Sequence, residues 1–373
     1  MTEVPANLAL RQTSPSRWIG FIVTLWGTFC CCVAAVQNAA GLLSLRFFLG
    51  CAEAGFLPGV VYYMTLWYHQ REISMRISMF YVSIVLAGAL GGVLSYAVSF
   101  MDGIRGLSAW RWLFLIEGLP TVMVGIAIFF VLPDSPQQSR WLSSSDKTRI
   151  EQHLQGTLEP TDVNLTSTWG AWTNGYTYVH ALIMLSAGLP VYSISFLMST
   201  VIRDLGYSNL SAQLLTIPPF LVAAVFMVTS SYTVDRTSNR AYPIALGLVI
   251  SITGFILLAT LDSSTGKYIS LFLATVGPYN VSPINYAWLA SNITSRSQRA
   301  VAIAIVTAVA NISGVLAGQM YRQSEAPNYV ASHIGNAVSL AVCLVTCLGL
   351  QYHQRHRSLP QPAAKPAVVN GTH

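Results

Sequence analysis

Ten apolar runs of about twenty residues recur along the chain, near 18–37, 42–66, 77–100, 112–132, 177–200, 212–232, 242–261, 268–290, 300–320 and 333–351. At 1.5 Å of rise per residue, a helix needs about 20 apolar residues to cross a hydrocarbon core about 30 Å thick. No water reaches backbone N–H and C=O groups there, so runs of this length predict helices, which satisfy every backbone bond internally. Composition supports lipid as the solvent for much of the surface. Of 373 residues, 53% are hydrophobic and only 9% are charged, against about 25% charged in a soluble domain. The expected fold is an all-α polytopic membrane protein. The run opening at Trp18 is too long for the core of a cleavable signal and is read as a span.

Placing the N-terminus in the cytosol sorts the basic residues. Fourteen Lys and Arg then fall on inner segments, five on outer ones (Arg105, Arg111, Arg203, Lys267 and Arg322), and Arg46 lies within a span. The excess of inner positive charge predicts cytoplasmic termini. The net charge of +6 follows from that topology and does not point to nucleic acid. The six cysteines lie in apolar runs without metal-ligand spacing, which suits packing residues. No HExxH, GxSxG or phosphate-binding glycine loop occurs, and the seven histidines never cluster in sequence. No enzyme, cofactor or metal site is therefore expected.

A polar segment at 133–176, rich in Pro, Ser and mixed charge, divides four spans (1–132) from six (177–351), with a polar tail at 352–373. It is read as a cytoplasmic linker, parts of which suit a surface helix. A faint repeat links the halves: "RQTSPSR" before the first span and "DRTSNR" between the sixth and seventh.

Within the second span stand Arg46 and Glu53. A charge at mid-bilayer costs roughly 2.5–3.5 kcal/mol on insertion scales, so its presence calls for a reason. Seven residues at about 100° each bring the two side chains to one helix face, about 10.5 Å apart along the axis. That spacing exceeds an i,i+4 pair and leaves room for a small anion, water or a side chain from another helix. Two readings follow: a substrate and proton path, or a structural ion pair between helices. In the eighth span, Gly277, Pro278 and Pro283 predict a kink or interrupted hydrogen bonds. Asn280 and Trp288 beside them, Tyr192 and Ser195 in the fifth span, and Asn311 in the ninth are candidate cavity residues. For each of these, hydrogen bonding between helices is the competing reading. Gly88, Gly91 and Gly92 suggest a close helix approach or hinge in the third span, and Glu117 near the outer end of the fourth suggests a partner for a neighbouring polar group.

The stretches "RFFLGCAEAGFLPGVVYYMTLWY", "WRWLFLIEGLPTVMVGI" followed by "LPDSP", "LTIPPF", "DRTSNR", "GPYNVSPINYAWLASN" and "APNYV" occur in this order. Together they resemble the anion:cation symporter family of the major facilitator superfamily, and within it the fungal allantoate and nicotinate permease-like branch. The resemblance implies a fold of two six-helix halves, with this chain supplying about ten helices (4 + 6) and lacking the first helix and nearly all of the second. It implies a proton symporter of a small organic anion, such as a carboxylate vitamin or ureide, acting as a monomer in the plasma membrane. Arg46 matches the family's anion anchor and Glu53 its proton-coupling acid. Asp235, Arg236 and Arg240 match an inner-loop motif whose charges latch helix ends together in one conformation. The alternative expectation is a non-transporting membrane protein or a gene-model fragment of such a carrier.

Overall fold

The computed structural model describes residues 14–53, 55–68, 73–154, 170–237, 239–293, 296–321, 325–326 and 328–358. Within them the chain is helical and has no strand. The helices are α1 (Pro15–Val33), α2 (Ala39–Glu53), α3 (Phe56–Trp67), α4 (Ile73–Ser99), α5 (Ala109–Val131) and α6 (Ser144–Leu154), then α7 (Gly175–Asp204), α8 (Asn209–Leu215) and α9 (Ile217–Thr237). The last four are α10 (Ala241–Thr260), α11 (Ser264–Asn292), α12 (Arg296–Met320) and α13 (Val330–Ser358).

Eight helical stretches among the described residues are long and apolar enough to cross a membrane: Pro15–Val33, Met75–Ser99, Ala109–Val131, Gly175–Phe196, Ser211–Thr237, Ala241–Thr260, Gln298–Met320 and Val330–His356. The remaining two expected spans differ for separate reasons. The run at 42–66 divides into α2 and α3 around Gly55, which stands at the N-cap of α3. Pro58, in the first turn of α3, has no N–H to carry the ladder back into α2, so the helix restarts there. The eighth run, α11, is 29 residues long and continuous through Pro278 and Pro283, but polar residues lower its mean hydropathy. Its expected irregularity takes a local form. The Ser251 hydroxyl of α10 accepts from Gly277 N at 2.7 Å and donates to Leu273 O at 2.9 Å, bridging the pair that would close a regular helical bond.

In the first half of the chain α1 and α5 make the principal seam. Glycines set its spacing. A Cβ added at Gly27 would lie 2.8 Å from Val122 N, at Gly118 2.9 Å from Cys31 N, and at Gly125 2.6 Å from Thr24 N. The backbones approach so closely because these positions carry no side chain. A residue in the first turn of α5 and one just past its end hold the two ends of α1. Asp134 Oδ1 accepts from Ser16 N at 2.8 Å, and Arg111 donates to Ala34 O at 3.1 Å and Val36 O at 2.7 Å. Each charge complements the helix dipole at its end. The Gly88, Gly91 and Gly92 group packs less tightly: a Cβ at Gly91 meets nothing within 4 Å, and one at Gly88 would make ordinary contact with Phe220.

In the second half α7 packs on α11, α12 and α13, and α10 packs on α11 and α13. From Ala274 to Ala290 every residue of α11 except Ser282 is buried. The halves meet along α4, which lies against α9 and α11, and again where α3 meets α12.

Candidate functional site

Residues expected to form one site fall into three settings. Arg46 and Glu53 stand on α2, a helix of which Ala52 alone is buried, and both side chains are exposed. The Arg46 guanidinium lies over the Phe114 ring of α5, 5.2 Å from its centroid, where the ring's negative face attracts it. Glu117, one turn from Phe114, and Glu53 are both within electrostatic reach of Arg46. Among the described residues neither carboxylate comes within the 4.0 Å of an ion pair with it. Glu53 is the last residue of α2, so its carboxyl group stands beside the helix break at Gly55.

The second setting is a mid-helix band between α4 and the second half. Tyr192 of α7 donates to Asn311 Oδ1 of α12 at 2.9 Å, and Ser195 of α7 shares a 2.8 Å hydroxyl pair with Tyr279 of α11. Tyr279 meets Phe220 of α9 edge-on at 5.8 Å between centroids. Tyr286, two turns along α11, bonds Thr307 of α12 at 2.8 Å. Its ring lies 6.3 Å from that of Tyr81 on α4, across the seam. Sequence reasoning reached Tyr192, Ser195 and Asn311 but missed Tyr81, Tyr279, Tyr286 and Thr307. The seven-residue spacing of Tyr279 and Tyr286, which puts both on one face of α11, was the available signal.

Asn280 and Trp288 belong to a third setting, inside the second half. Asn280 Nδ2 donates to Pro243 O of α10 at 3.1 Å, and its side chain is fully buried. Trp288 Nε1 donates to Gln354 Oε1 of α13 at 3.1 Å. For both, the geometry is that of hydrogen bonding between helices. Trp288 anchors a longer chain. Gln354 Nε2 donates to Asn292 Oδ1 at 2.9 Å, Asn292 Nδ2 faces His180 Nε2 at 2.9 Å, and His180 Nδ1 faces Asn285 Oδ1 at 2.6 Å. An indole is a donor only, so it orients the Gln354 amide. That amide orients Asn292, and Asn292 in turn leaves His180 Nε2 as an acceptor and Nδ1 as the protonated nitrogen. His180 is fully buried, edge-on to Trp288 at 5.7 Å.

Of the three residues expected in an inner loop, Asp235 and Arg236 lie in the last turn of α9, which runs on to Thr237, and Arg240 stands apart from them. Asp235 Oδ2 accepts from Met75 N at 2.9 Å, in the first turn of α4, where helix N–H groups lack intrahelical partners. The hydroxyls of Ser78 and Ser231 bond one turn deeper. Arg236 lies over the ring of Tyr232 on its own helix at 5.2 Å. Arg240 is at the N-cap of α10 with its Nε buried. Burial lowers its pKa from the usual guanidinium range, and the nearby Asp235 charge opposes that shift.

Comparison with known proteins gives a consistent picture. A family model described as Major Facilitator Superfamily matches residues 4–318. The chain is 35% identical over 367 residues to the "MFS transporter prlL" of Fungal sp. (strain NRRL 50135), covering 95% of this chain and 73% of that protein. It is 34% identical to the "MFS-type transporter cnsO" of Penicillium expansum, covering 88% and 67%. Identity to the "Putative metabolite transport protein NicT" of Pseudomonas putida is 31%, covering 85% and 73%. The fold is similar to that of the E. coli fucose:proton symporter FucP, with a TM-score of 0.69 at 12% identity over 94% of this chain and 87% of that one. It is also similar to that of the proton:xylose symporter XylE, with a TM-score of 0.68 at 16% identity over 96% and 83%.

Proposed function

The chain belongs to the major facilitator superfamily, as a multi-pass membrane protein of transporter fold and not an enzyme, and from that premise we propose that it is a proton-coupled symporter of a small organic anion. The reading places it in the anion:cation symporter branch, in the plasma membrane, with both termini cytoplasmic and a monomer as the working unit. A carboxylate vitamin or a ureide is the proposed substrate class.

The observation that carries this reading is Arg46. It is an exposed guanidinium inside an apolar run, with no described carboxylate at ion-pair distance. A guanidinium stays charged and offers a planar fork that matches a carboxylate bidentately. Glu53 stands on the same face at the end of the half-helix, where proton uptake and release would be coupled to occupancy of the Arg46 site. Alternating access follows from the seam between the halves. Asp235 with the first turn of α4, then Ser78 with Ser231, then Tyr81 with Tyr286, close one end in layers. Release of these contacts would open that end. Tyr192, Ser195 and Asn311 supply polar groups at the depth of the band, while Asn280 and Trp288 support it from behind.

The test is uptake of radiolabelled nicotinate and allantoate into proteoliposomes under an inward proton gradient. Native protein should accumulate one of them. Arg46→Ala should reduce its uptake about 10- to 150-fold, the range for losing a charged hydrogen bond of roughly 1.5–3 kcal/mol. Arg46→Lys should mainly raise KM. Equal uptake by native and Arg46→Ala protein would overturn the assignment of the anion site.

A further inference from the structure

A cavity of about 330 Å³ lies between the start of α1 and the end of α5. Arg17, Arg140, Asp134, Gln138, Phe130 and Trp141 are among the residues that line it. Asp134 is engaged with the first turn of α1 through Ser16 N, and the preceding Pro133 carbonyl accepts from Tyr63 of α3 at 2.7 Å. That corner is thus fixed in place by two helices. Neither Arg17 nor Arg140 has an ion-pair partner among the described residues. With Asp134 counted, the cavity carries a net charge of +1.

Its position is the second clue. α1 begins at Pro15 and α5 ends at Val131, so the cavity sits where the apolar spans give way to the polar linker. Phe130 is 82% exposed and Trp141 is 68% exposed on its rim. An exposed phenylalanine suits an acyl chain, and an exposed indole suits the headgroup level. Two guanidinium groups in the same lining suit a phosphodiester. Orientation by the basic residues places this end at the cytoplasmic leaflet, which is rich in anionic lipid.

We propose that this cavity binds the headgroup of an anionic phospholipid of the inner leaflet, with Arg17 and Arg140 on the phosphate and Phe130 and Trp141 against the glycerol and upper acyl chains. Such a lipid would tie the end of α5 to the start of α1 and to the linker. This site is separate from the anion site at Arg46, and its test reads binding rather than transport.

The test uses purified full chain in neutral detergent. Thermal unfolding is followed while short-chain phosphatidylinositol, short-chain phosphatidylcholine, or inorganic phosphate is added. Phosphatidylinositol should raise Tm saturably, and the other two should not. Arg17→Gln and Arg140→Gln, both exposed positions, should each weaken its apparent affinity about fivefold, the effect of roughly 1 kcal/mol per basic residue at an anionic membrane. Equal stabilisation by phosphatidylcholine, or by inorganic phosphate at the same concentration, overturns the proposal, as does indifference to both substitutions. A measurement on the native chain guards against a misfolded variant. A photoactivatable phosphatidylinositol should crosslink to the peptide containing residues 129–141, and labelling elsewhere alone would contradict the site.

Discussion

The two halves of the molecule treat polar side chains in opposite ways. On α2 and α5 the ionisable groups Arg46, Glu53 and Glu117 are exposed, and no ion pair joins them. On α7, α11 and α13 the polar groups His180, Asn285, Asn292 and Gln354 are threaded through a buried network that ends on the Trp288 indole. A polar group in an apolar medium costs free energy unless partnered. The second half meets this with matched donors and acceptors, as a rigid frame does. The first half leaves charges accessible, which is the state a ligand or a proton can use.

If that contrast is right, perturbing the network should damage stability far more than perturbing the charges. Asn285→Leu removes the partner of His180 Nδ1–H and leaves it buried, so a loss of about 3 kcal/mol is expected. Denaturant unfolding of the purified chain measures it. A loss under about 0.5 kcal/mol, the usual effect of a surface change, would mean the network does not hold the frame.

The next effect belongs to the first half's own rigid element. Gly125→Leu must push its side chain against Thr24, where even a Cβ would lie 2.6 Å from the backbone nitrogen. About 2 kcal/mol of destabilisation is expected from such overpacking, read by the same unfolding assay. Tolerance of leucine there would show that α1 and α5 are not the first half's anchor.

A smaller change acts at the seam between the halves. Tyr286→Phe loses the bond to Thr307 and should cost about 1 kcal/mol. Because the ring that this bond orients also packs against Tyr81 of the other half, 6.3 Å away, the loss should favour opening of the Asp235 end. A cysteine introduced at Ser231 should then react faster with a soluble maleimide in Tyr286→Phe than in the native background. Unchanged labelling would place the Tyr81–Tyr286 contact outside the gate.

How much of this was legible in the sequence depended on how local the cause was. Eight of the ten expected spans have a continuous helix in their place, because hydropathy over twenty residues is a property of the run itself; the sixth, at 212–232, crosses Thr216 between α8 and α9. The second span is the instructive exception. Glycine and proline occur in both the second and the eighth spans, yet of these two only the second divides. Pro58 starts α3 afresh, whereas Ser251 of α10 bridges the ladder beside Pro278 and α11 stays whole. The deciding residue lies on another helix, beyond the reach of any local pattern. The glycines tell the same story. Gly88, Gly91 and Gly92 are conspicuous in one run, but the tight approach pairs Gly27 with the region of Gly118 across two runs. Arg46 and Glu53 stood out in sequence because a charge in an apolar run needs no partner to be noticed. Tyr81 and Tyr286 did not, since a tyrosine in a span is unremarkable until its neighbour across the seam is known.

The comparison of the halves meets its sharpest test at Glu53. Glu53→Gln should leave unfolding stability within about 0.5 kcal/mol of native, since the side chain is exposed, and yet remove proton coupling. The measurement is counterflow against uphill uptake of the same labelled carboxylate in one proteoliposome preparation. We expect Glu53→Gln to exchange internal for external substrate at a rate near that of the native chain, while failing to concentrate it under an inward proton gradient. Concentration of substrate by Glu53→Gln under that gradient would contradict the account.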